Sequence, residues 1–136
     1  MFQTATVPAD HNKLRVALVD DDASLCRSLS RLLRAAGMQP TSYSSAEAFL
    51  ADKQKPPFDC IVLDVRMGGM SGLDLGRWLT AEGGSAPIIY VTAYDDAETR
   101  ASALRAGGEA YFLKTDSGAD VLDAIRRLAE SRQATR

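Results

Sequence analysis

Apolar residues in this chain come in short continuous runs that alternate with stretches of helical spacing. The run Leu14–Val19 ends in three aspartates, and beyond them Leu25, Leu29, Leu32, Leu33 and Ala36 recur at helical intervals up to Gly37. A strand followed by a helix is predicted. The alternation then repeats, with a weak strand at Gln39–Tyr43, a helix at Ser45–Ala51 opened by Ser45, and a strand at Cys60–Leu63 after Pro56-Pro57. A glycine-bearing loop leads to a helix at Ser71–Ala81, and Pro87 introduces the strand Ile88–Val91. A helix from Ala97 to Ala106 stops at Gly107-Gly108, a last strand covers Ala110–Leu113, and a last helix covers Ala119–Ser131. Five strands alternating with five helices, the strands apolar throughout, predict a parallel sheet covered on both faces: a doubly wound α/β domain.

Composition narrows this only a little. The 136 residues suit one domain, with 46% hydrophobic and 25% charged residues as in an ordinary globular chain. A formal net charge of -2 argues against binding nucleic acid through the domain's own electrostatics, so proteins are the expected direct partners. Cys26 and Cys60 have no CxxC spacing and read as packed, reduced thiols. No apolar stretch approaches a membrane span, and the polar start MFQTATVPADHNK lacks a signal core, so the cytoplasm is the expected location. Residues 1–12 read as a flexible arm, 13–131 as the domain, and 132–136 as a tail or the start of a linker.

A doubly wound sheet binds ligands outside the carboxyl ends of its strands. The polar residues there are Asp20 and Asp21 after the first strand, Asp64 after the third, Thr92 after the fourth and Lys114 after the fifth. The triplet Asp20-Asp21-Asp22 alone fits either a bound cation or a helix cap with solvated neighbours. Asp64 should project into the same crevice, and Thr92 and Lys114 add a hydroxyl and an ammonium. Three acids, a hydroxyl and a lysine form an inventory for handling a phosphoryl group. A carboxylate can act as nucleophile, a metal can bridge carboxylates to phosphoryl oxygens, and a lysine can pair with the remaining oxygens. Each residue alone has a plainer reading: strand-end cap for Asp64, β-former for Thr92, surface cation for Lys114. Trp78 is expected to cover sheet or helix neighbours.

Four segments, VALVDDD at 16–22, VLDVRMGGMSGLDL at 62–75, YVTAYDD at 90–96 and AGGEAYFLKT at 106–115, resemble the receiver domain of bacterial response regulators. The resemblance implies a flavodoxin-like fold with strand order 2-1-3-4-5 and a phosphoacceptor at Asp64. It implies Mg²⁺ (or Mn²⁺) held by Asp20, Asp21, Asp64 and the backbone carbonyl of Arg66. Lys114 and Thr92 would bind the phosphoryl group, Thr92 and Tyr111 would act as switch residues, and Arg66 and Tyr94 would set phosphoryl lifetime. Implied partners are a sensor histidine kinase or histidine phosphotransfer protein, and a second copy through the face of helix 4, strand 5 and helix 5, including Ala101, Leu104, Leu122 and Arg126. Neither membrane nor nucleic acid is an expected partner of this domain. Lys114-Thr115 and SSAEAFL at 44–50 also resemble the subfamily with a helix-turn-helix output.

Two departures stand out. Gly68 and Thr115 occupy positions where the family usually carries proline, so a looser loop beside Asp64 is expected, and the Lys114-Thr115 bond is either trans or strained. Two rival functions are an aspartyl-phosphate phosphatase and a receiver-like module that is never phosphorylated. The phosphatase needs a second acid two residues after its nucleophile, where this chain has Arg66. The second rival is disfavoured because no acceptor, acid-pair, hydroxyl or lysine position is lost. The expectation is therefore a phosphoacceptor switch, with at most Mg-dependent autophosphorylation from small donors and autodephosphorylation.

Overall fold

The computed structural model describes residues 13–134; the expected N-terminal arm, 1–12, lies outside them. Strands β1 (Arg15–Val19), β2 (Gln39–Tyr43), β3 (Cys60–Asp64), β4 (Ile88–Thr92) and β5 (Gly108–Leu113) form one parallel sheet in the order β2-β1-β3-β4-β5. Helices α1 (Ala23–Ala35), α2 (Ala46–Ala51), α3 (Gly72–Ala81), α4 (Ala97–Arg105) and α5 (Gly118–Ala134) alternate with the strands.

Strand parity divides the core in two. Val16, Leu18, Cys60, Val62, Ile89 and Val91 face α1 and α5, whereas Ala17, Val19, Ile61, Leu63, Ile88 and Tyr90 face α2, α3 and α4. Every residue of β3 and β4 is buried, as a sheet covered on both faces requires. The edge strand β2 is half-buried and tolerates Pro40. Cys26 and Cys60 are free and buried.

Short polar side chains begin the helices. Asp22, Ser45, Ser71 and Asp96 each accept from the backbone N–H three residues on. Asp22 thus caps α1, its Oδ1 lying 3.1 Å from the Leu25 nitrogen. Gly107, at φ +87°, closes the turn after α4, and β5 starts at Gly108, two residues before the predicted strand. The register with β4 is irregular there: Ile88 pairs with Gly108 and Ile89 with Ala110, which leaves Glu109 out. The last helix runs through Ala134, past the predicted end at Ser131, and Arg132 on it reaches Asp59 Oδ1 at 3.3 Å.

Trp78 is more open than the sequence suggests: it is 46% exposed on α3. The inward positions of that helix belong to Gly72, Leu75 and Gly76. Gly76 is needed because the Tyr90 hydroxyl, donating to the Ala106 carbonyl at 2.9 Å, occupies the space of a Cβ. Among the described residues no helix is long and apolar enough to cross a membrane.

Candidate functional site

Parity also aims the polar residues at the strand ends. Asp20, Asp64 and Lys114 follow Leu18, Val62 and Phe112 by two residues and so share the α1/α5 face of the sheet; Thr92 follows Tyr90 and belongs to the opposite face. The result is two linked groups at one rim, an acid–lysine cluster and a hydroxyl–aromatic group.

In the first group Lys114 Nζ donates to Asp64 Oδ2 at 2.9 Å and to Asp20 Oδ1 at 3.1 Å. Asp20 and Asp64 are both buried, Asp64 to 2% exposure, while Asp21 is exposed. Burial raises the Asp64 carboxyl to about 7; the neighbouring Asp20 adds to the effect and Lys114 opposes it. Burial disfavours the Lys114 ammonium, yet its bonds to the two carboxylates outweigh that and raise its pKa. Backbone groups fix the carboxylates further: Asp22 N–H donates to Asp20 Oδ1 at 2.9 Å and Arg66 N–H to Asp64 Oδ1 at 3.3 Å.

One ammonium does not balance three carboxylates. Asp20, Asp21 and Asp64 each offer an oxygen, all within 4.8 Å of one another, and Asp20 Oδ2 is buried with no hydrogen-bond partner among the described residues. A hard, oxygen-seeking divalent cation suits that donor set, and it would satisfy the orphaned oxygen. The acidic triplet therefore divides, with Asp20 and Asp21 in the pocket and Asp22 in the helix cap.

In the second group the Tyr94 N–H donates to Thr92 Oγ1 at 3.1 Å, and the Tyr111 hydroxyl donates to the Tyr94 carbonyl at 3.2 Å. The Arg66 guanidinium lies 4.7 Å from the Tyr94 ring centroid and that of Arg100 lies 4.4 Å from the Tyr111 ring. Asp20, Asp21, Asp64, Arg66, Thr92, Tyr94, Tyr111 and Lys114 thus belong to these two groups, and Tyr94 links the Thr92 and Tyr111 hydroxyls through its backbone.

The structure adds Glu47, which the sequence did not single out. From α2 its Oε2 accepts the Met70 N–H at 2.8 Å and lies 2.7 Å from where a Cβ on Gly69, φ +79°, would stand. The glycine-rich loop expected to be loose therefore has a carboxylate anchor. No local motif announces this contact, because it joins residues 23 apart. Gly72 also acts through space: a Cβ there would overlap the backbone carbonyl of Asp64, so glycine lets α3 start against the end of β3. The described residues contain no cis peptide, so Lys114-Thr115 is trans.

Residues 16–126 match the response regulator receiver domain family. The chain belongs to that family. It is 40% identical over 111 residues to the response regulator protein TmoT of Ectopseudomonas mendocina, covering 82% of this chain and 50% of that protein. It is 35% identical over 113 residues to the transcriptional regulatory protein FixJ of Azorhizobium caulinodans, covering 83% of this chain and 54% of the relative. The chain spans about half the length of these curated relatives. The crystal structure of a CheY-like receiver domain protein from Methanospirillum hungatei JF-1 has the same fold, with a TM-score of 0.84 at 24% identity over 92% of this chain and all of that one.

Proposed function

We propose that this domain is a cytoplasmic phosphorylation switch that accepts a phosphoryl group on Asp64 from a phosphohistidine of a sensor histidine kinase or histidine phosphotransfer protein. A carboxylate oxygen of Asp64 attacks phosphorus, the phosphorus–nitrogen bond breaks, and its electron pair returns to the donor imidazole. The observation that carries this reading is the buried pairing of Asp64 and Asp20 on one lysine beside an unsatisfied Asp20 oxygen. A nucleophilic carboxylate, a cation-holding acid and a phosphate-pairing ammonium stand within a few ångströms there.

Asp20, Asp21, Asp64 and the Arg66 carbonyl would hold Mg²⁺ or Mn²⁺. Held there, the ion would offset the negative charge that gathers during phosphoryl transfer. Lys114 exchanges its Asp64 contact for a phosphoryl oxygen and keeps the site compensated. Thr92 turns its hydroxyl to a second phosphoryl oxygen and gives up its bond from the Tyr94 N–H. Because the Tyr94 carbonyl holds the Tyr111 hydroxyl, that exchange alters the packing of Tyr111 between β5 and α4 and shifts the population of the two arrangements.

The affected face includes Leu104, which is 72% exposed on α4, together with Ala101, Tyr111, Leu122 and Arg126. Homodimerisation or partner contact through this face is the proposed output. The stacked pair Arg66 and Tyr94 screens the acyl phosphate from water and lengthens its lifetime. The half-length match to transcriptional regulators supports a place in a longer protein with a DNA-binding output, though this domain itself contacts no DNA.

Intact mass spectrometry after incubation with acetyl phosphate and Mg²⁺ tests the reading. One added phosphoryl group is expected in the wild type and none in Asp64→Ala; equal labelling of both would overturn the acceptor assignment. Arg66→Ala and Tyr94→Ala should shorten the lifetime, and unchanged decay in both would remove their screening role.

A further inference from the structure

A cavity of about 260 Å³ lies between α1 and the start of α5, next to the acid–lysine cluster. Leu25, Leu29 and Leu32 of α1 and Val121 of α5 form its sides, and Val62 and Val91 form its floor. The cavity opens to solvent past α1, and its lining is mostly apolar, the setting in which a small organic molecule gains from leaving water. An apolar cavity of ~150 Å³ already holds benzene. This one has room for a fused two-ring molecule.

Asp20, Lys114 and Asp116, with Ser28 of α1, supply the polar side chains of its lining. Lys114 Nζ has three N–H donors, and the two carboxylates account for two of them. The third is left for an acceptor on a ligand. The acidic side chains of Asp20 and Asp116 disfavour an anion. Cys26, in the wall, is held above its ordinary thiol pKa by burial and then by Asp20, which leaves it neutral and unsuited to covalent capture.

We propose that this cavity is a binding site for a planar, uncharged organic molecule of two-ring size carrying one hydrogen-bond acceptor. Its rings lie among the α1 leucines and Val121, and its acceptor meets Lys114. Because Asp20 and Lys114 serve both this site and the acidic pocket, occupancy and phosphorylation are thermodynamically linked. That linkage, unlike the binding itself, rests on the phosphoacceptor reading above.

The test is titration of ¹⁵N-labelled protein with 2-naphthol, naphthalene and 2-naphthoate, followed through backbone amide shifts. Saturable shifts centred on Cys26, Leu29, Lys114 and Val121 are expected for 2-naphthol, with binding about tenfold weaker for naphthalene, which lacks the acceptor, and for the anion. Leu25→Trp and Leu32→Trp fill the mouth from partly exposed positions. Each should weaken 2-naphthol binding at least about tenfold while the remaining amide spectrum stays folded. Shifts that do not saturate, shifts centred on the α4–β5 groove, or equal affinity in both variants would overturn the site. A severalfold change in affinity after phosphorylation by acetyl phosphate supports the linkage, and an unchanged affinity refutes it. Saturable binding in a protein that takes up no phosphoryl group would uphold the cavity and sink only the phosphoacceptor reading.

Discussion

Asp64→Asn should make the metal-free protein more stable, because the wild-type carboxyl is held in a place that resists its charge. Asp64 is raised from 3.8 to about 7 by burial and by Asp20, even with Lys114 attached. A carboxyl whose folded pKa exceeds its unfolded value binds more protons in the folded state. Stability is therefore highest below the unfolded pKa and falls as pH rises towards the folded one. A shift of roughly three units corresponds to about 4 kcal/mol at 1.36 kcal/mol per unit, and relaxation of the pocket around the ionised carboxyl reduces that to about 2 kcal/mol. Asparagine imitates the neutral acid and avoids the loss. In a domain of this size the gain amounts to about 6–10 °C in Tm at pH 8. Thermal unfolding in EDTA at pH 8 and pH 5 measures it: the variant should lead clearly at pH 8, and the gap should narrow at pH 5, where wild-type Asp64 is mostly protonated. Added Mg²⁺ should stabilise the wild type more than the variant, by mass action on the folded state. A variant no more stable than wild type at pH 8, or a gap that does not change with pH, would refute the reasoning.

Gly76→Ala should cost about 2–3 kcal/mol in urea unfolding, because the new methyl displaces the Tyr90 hydroxyl from the Ala106 carbonyl. The same change in a Tyr90→Phe background should cost markedly less, and strictly additive costs would show that the clash is not the cause. Glu47→Ala should speed amide hydrogen exchange at Met70 by about tenfold, with α2 exchange little altered; unchanged Met70 protection would mean the carboxylate does not hold the loop. Asp22→Ala should lower stability by about 1 kcal/mol through loss of the α1 cap and leave Mg²⁺ affinity nearly unchanged. A large loss of metal affinity in that variant would return Asp22 to the metal site.

The sequence by itself determined the elements and their kind. Apolar runs at β1, β3 and β4, helical spacing in α1 and glycine stops are local properties, and local periodicity reports them directly. The strand-end position of Asp20, Asp64, Thr92 and Lys114 was equally legible, because a doubly wound sheet puts every strand's carboxyl end on one rim. Ends were less so. The start of β5 and the length of α5 depend on pairing with β4 and on packing of the helix, not on the residues at the boundary. Only the tertiary structure decided what joins those ends: Lys114 between Asp20 and Asp64 across 94 and 50 residues, the orphaned oxygen of Asp20, and the Thr92–Tyr94–Tyr111 connection. It also turned Trp78 outward and enlisted Glu47 for the loop. The physical reason is range. Periodicity and caps act within a few residues, whereas the partner of a buried charge is set by where the sheet places distant strand ends, and burial then decides how strongly that charge is felt.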